Sequence, residues 1–120
     1  MQQMQQMQRH MTQLMNRTHM MTQNMEQQMQ RTQNQQRRMQ MMQMQRLGEH
    51  VNGLAGQLKN ASEQCELMLQ NREMLRNRNM ERDMERLRTR LQNMTGELEQ
   101  TVQVMERMQK RLGSGETASN

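Results

Sequence analysis

MQQMQQMQRHMTQLM, residues 1–15, carries methionine at positions 1, 4, 7, 11 and 15. Steps of three and four place these side chains on one face of an α-helix, which turns once in 3.6 residues. A half-buried strand would need apolar residues at every second position instead. The stretch therefore predicts an amphipathic helix. It leaves two uses for the thioethers, as filling for a seam between helices or as ligands for a soft metal ion.

Composition extends the helical reading to the whole chain. Among 120 residues there are 20 Met and 23 Gln, and there is no Phe, Trp, Tyr or Pro. Only 32% of residues are apolar, too few for a large compact core. Val and Ile are scarce and aromatics absent, so strands have little to build on. Gln, Met, Arg, Glu and Leu are all good helix formers, and no proline interrupts them. The expectation is an all-α chain of two or three long helices, arranged as a helical hairpin or an extended coiled-coil bundle.

Three heptad registers divide the chain. The first runs through Met4, Met7, Met11, Leu14, Thr18, Met21 and Met25, and extends in phase to Met39 and Met42. It weakens over RTQNQQRR (31–38), and Met15 and Met29 widen the stripe. The second alternates steps of four and three through Leu47, Val51, Leu54, Leu58, Ala61, Cys65 and Met68. It does not continue the first, and Gly48, Gly53 and Gly56 lie at the junction, so a bend is expected within 46–56. The third runs through Met80, Met84, Leu87, Leu91, Met94, Leu98, Thr101, Met105, Met108 and Leu112. NREMLRNRN (71–79) reads as a turn between the last two, and Glu106 and Lys110 as an i,i+4 pair. Gly113 after Lys110 and Arg111 signals a helix end. The expected organisation is a Met/Gln-rich basic helical segment over 1–46, charge-balanced coiled-coil helices over 47–112, and a frayed tail over 113–120.

Charge and cysteine usage narrow the function. The net charge is +5. Residues 1–46 hold six arginines and one acid, Glu26, while residues 47–120 hold eleven bases and eleven acids. Such a thin surplus, without aromatic residues to stack on bases, argues against specific nucleic-acid binding. No apolar run is long enough to span a membrane. The single cysteine, Cys65, excludes an internal disulfide and any CxxC site, and its place on a seam flanked by Glu63 and Glu66 disfavours a reactive thiolate. His10, His19 and His50 have no local carboxylate partner, and LGEHVNGLAG lacks the spacing of a phosphate loop. No catalytic constellation is visible, so a non-enzymatic role is expected. Thin seams call for self-association, as a homo-oligomer, or for a partner helix.

The methionines remain. Thioethers are soft, neutral donors suited to Cu(I) and Ag(I). On a helix, residues three or four apart share a face and can reach one ion. Met4, Met7, Met11 and Met15 meet that condition with His10 beside them. Met21, Met25 and Met29 do so with His19 nearby, and MQMMQM adds Met39, Met41, Met42 and Met44. Residues 1–44 thereby resemble the methionine-rich segments of copper-handling proteins of the bacterial cell envelope, which use MxxM-type repeats as soft-metal ligands. The resemblance implies Cu(I) binding by those residues and a periplasmic or envelope location, given a signal peptide ahead of Met1; without one the expectation is cytoplasmic. The alternative is a structural or adaptor coiled coil in which Met is pliable packing and no metal binds. Gln richness also admits a low-complexity association segment, but the Met periodicity favours helix. Methionines off the seam, Met20, Met41 and Met44, separate the two main readings, because packing alone has no use for them there.

Overall fold

The computed structural model describes residues 2–114, which form four helices and, among the described residues, no strand. They are α1 (Gln2–Arg31), α2 (Gln35–Leu69), the single turn α3 (Arg72–Leu75) and α4 (Arg78–Ser114). The molecule is a rod of 63 × 22 × 18 Å. Contacts fix the directions. Met7 meets Ser62 while Thr18 meets Asn52, so α1 and α2 are antiparallel. Gln3 meets Gln92 while Arg17 meets Glu106, so α4 returns parallel to α1. This is an up-down-up bundle, in which the faces left bare by one helix are closed by the next two.

Asparagine starts each new helix. The Asn34 side chain accepts from the backbone N–H groups of Gln36 and Arg37, and Asn71 from those of Glu73 and Met74. Asn77 accepts from Asn79 and Met80 at 2.9 and 3.3 Å. Each cap satisfies donors that have no partner inside the helix. The turn expected over 71–79 is present, with α3 inside it. At the far end of the rod, Arg37 Nη2 donates to the carbonyls of Leu112 and Gly113 at 2.8 and 3.1 Å, closing the last turn of α4.

The first seam folds as read through α1. Met4, Met7, Met11, Leu14, Thr18, Met21 and Met25 are all buried. Thr18 and Thr22 return their hydroxyls to the carbonyls of Met15 and His19, so their burial leaves no donor stranded. Beyond Arg31 the reading fails. Three non-helical residues, 32–34, reset the helical phase, so Met39 and Met42 are exposed while Met41 and Met44 enter the core.

No bend lies within 46–56. Helix α2 runs unbroken across the expected boundary at 46–47 and through all three glycines. Its buried row is Met41, Met44, Gly48, Val51, Ala55, Leu58, Ser62 and Cys65. Leu47, Leu54 and Ala61, expected inside, are exposed, and the small residues Gly48, Ala55 and Ser62 replace them. The reason is close approach. A Cβ on Gly48 would sit 2.7 Å from Thr22 Cγ2, and the Met15 methyl lies 3.5 Å from where one on Gly56 would be. In α4, Met84, Leu91, Met105 and Leu112 are buried and Leu98 half-buried as expected, joined by Thr95 and Val102. Met80, Leu87, Met94, Thr101 and Met108 face outward. Helix α4 runs through Gly113, where a stop was expected, to Ser114, and the rest of the expected tail, 115–120, lies outside the described residues.

Candidate functional site

Of the thirteen residues with ligand chemistry, Met4, Met7, Met11, Met21, Met25, Met41 and Met44 are buried between helices. Met15 and Met29 pack against that core half-buried. Two sulfurs already serve the fold. Met7 Sδ accepts from the Ser62 hydroxyl at 3.1 Å, and the Thr32 hydroxyl points at Met41 Sδ at 4.0 Å. The imidazoles are engaged away from the thioethers. His10 Nε2 lies 3.4 Å from a Glu99 oxygen, and exposed His19 pairs with Gln23 at 3.0 Å. Met4 and Met29 are separated by about 38 Å of helix, at 1.5 Å per residue. The nine buried and half-buried methionines thus lie along a long packed seam, while Met39, Met42 and His19 are exposed. No group of three or more His, Cys, Asp or Glu suited to a metal ion occurs among the described residues.

A polar strip runs along the α1/α4 contact. Gln3–Gln92 and Arg17–Glu106 share an 89-residue offset, which His10 and Glu99 also keep. Arg17 spans two acids, reaching Glu106 at 2.6 Å and Glu99 at 2.8 Å. Glu106 thus turns to α1, not along its own helix toward Lys110 as expected. The hydrogen bond to Glu106 raises the Arg17 pKa against the opposing effect of burial, and Glu99 adds to the rise. Burial pushes the Glu99 carboxyl up, but hydrogen bonds and charge from Arg17 and His10 outweigh it and hold it below its ordinary value. Charge-assisted bonds of this kind fix orientation more than they add stability at a surface.

Cys65 is buried, as its seam position predicts. Burial raises its thiol pKa, with Glu85 adding and Arg88 opposing. The thiol stays protonated, a poor nucleophile.

The feature without an internal partner is a groove between α2 and α4, on the side away from α1. Leu47 and Leu54 of α2 are 42% and 55% exposed, and Met80, Leu87, Met94 and Met108 of α4 are 39–52% exposed. Two hollows mark its length. One is lined by Met44, Leu47, Met108 and Leu112, the other by Leu54, Leu58, Met94, Leu98 and Thr101. Two apolar rows at heptad spacing with holes between them form the surface that a further helix packs into. No helix among the described residues is long and apolar enough to cross a membrane. No protein family, curated protein or solved structure matches this sequence.

Sequence reasoning missed Glu99, Arg37 and Asn52, and gave Glu106 to Lys110 where the structure gives it to Arg17. Positions 3, 10 and 17 and positions 92, 99 and 106 each repeat by seven beside a seam, so their flanking role was readable. Which flank meets which depends on helix order, which spacing within single helices does not encode.

Proposed function

We propose that this chain is a non-enzymatic structural or adaptor bundle that acts by presenting helical surface to another helix, with its methionines as adaptable packing. The burial of Met41 and Met44 carries this reading. Off the α1 register they had no packing role, and in the bundle both are core. Met is flexible enough to fill the irregular gaps between packed helices. Packing within the bundle gives no account of the exposed Met20, Met39 and Met42, which also lie off the α2/α4 groove.

The experiment replaces Met4, Met7, Met11 and Met15 with Leu, which conserves volume and the apolar stripe while deleting the thioethers. Wild type and variant should be equally helical, melt within a few degrees of one another, and compete equally poorly for Cu(I) against a chelator. Competition by the wild type that the Leu variant has lost would restore the copper reading and displace this one.

A further inference from the structure

We propose that the α2/α4 groove is filled by a second copy of this chain, in a two-fold dimer whose α4 helices run antiparallel across Met94. The inference rests on the helix-docking reading and names the partner. Three observations carry it. The first is symmetry. The exposed row of α4 begins at Met80 and ends at Met108, with Met94 at its midpoint, so reversal about Met94 sets Met80 against Met108 and Leu87 against Thr101. Antiparallel apposition about Met94 brings the ends of the two rows together.

The second is charge. Arg90 and Glu97 flank that row, are exposed, and neither side chain has an ion-pair partner among the described residues. Their midpoint falls within half a residue of Met94. The same two-fold axis therefore sets Arg90 of each copy opposite Glu97 of the other, which gives two opposite-charge pairs from one sequence. Within one helix they are seven residues apart and too distant to pair. The third is shape. A hollow lined by Leu54, Leu58 and Leu98 adjoins Met94, so the two Met94 side chains that meet at the axis have a recess beside them to enter. Residues 115–120, GETASN, bring no large apolar side chain to occupy it.

Sedimentation equilibrium of the full chain, from micromolar to millimolar concentration, tests this. Wild type should be dimeric at the upper end. Met94→Glu, which sets like charges at the axis, should be monomeric with unchanged helicity. Arg90→Glu and Glu97→Arg each create like-charge pairs across the dimer, and each should weaken association about tenfold or more. Mixing these two variants restores both opposite-charge contacts, so the mixture should form a heterodimer tighter than either homodimer. The double variant should dimerise as the wild type does. All three positions are exposed, so circular dichroism should show each variant folded, and the mixing experiment stands even if Met94→Glu does not fold. A wild type that stays monomeric overturns the proposal. So does a mixture no tighter than its components, or a dimer indifferent to Met94→Glu, which would place the contact on another face. None of these outcomes touches the copper competition, which decides the packing role separately.

Discussion

Gly48 and Gly53 lie five residues apart in one helix, have the same composition-level penalty, and behave oppositely. A methyl at Gly48 would stand 2.7 Å from Thr22 Cγ2, and Thr22 is β-branched with its hydroxyl tied to His19, so it has little room to give. A methyl at Gly53 meets nothing within 4 Å, and the same holds at Gly96. Gly48→Ala should therefore destabilise the fold by about 1 kcal/mol, the overpacking cost exceeding the gain in helix propensity. Gly53→Ala and Gly96→Ala should each stabilise it by about 0.5–1 kcal/mol. Chemical denaturation of the three variants checks the sign at each position. The three glycines of α2 suggested a bend because propensity is a local property. At Gly48 the residue is there for the neighbouring helix, a reason that exists only once α1 has packed beside it.

At the scale of elements, the reading held for α1, where one helix could be considered alone. Every α1 seam position from Met4 to Met25 is buried, because a stripe of large apolar residues among Gln admits one register. In α2 two registers competed. Hydrophobicity favoured the row of Leu47, Leu54 and Ala61, and the structure chose Gly48, Ala55 and Ser62, because tight antiparallel packing selects small residues where backbones approach. The shared row of Val51, Leu58 and Cys65 was right under either choice. The turn over 71–79 was legible through its asparagines, but not which of them matters. Asn77 caps α4, and Asn79 lies inside it. Asn77→Ala should cost about 1 kcal/mol and Asn79→Ala close to nothing, read as a difference in melting temperature between the two variants.

At the scale of the molecule, the all-α class and the elongated bundle follow from composition and period, while helix order and the groove do not. The α4 row of Met80, Leu87, Met94 and Met108 read as core because spacing marks it as apolar without saying who covers it. Most of the expected ligand set lies in the packed seam, and MxxM spacing serves a thioether site and a packed face equally. The shared offset along the α1/α4 strip has a further effect. Met84, Leu91, Leu98, Met105 and Leu112 recur every seven residues, so α4 sliding past α1 by one repeat, about 10 Å, exchanges like for like along much of the core. Arg17 is held by Glu99 on one side and Glu106 on the other, themselves one repeat apart, and slippage in either direction surrenders one of them. It works as a detent on an otherwise periodic track, with the Arg37 clasp as a stop at the end. Arg17→Gln combined with Arg37→Gln should leave the helices formed and blur their alignment. Spin labels on exposed sites of α1 and α4 would then report two distance populations where the wild type gives one.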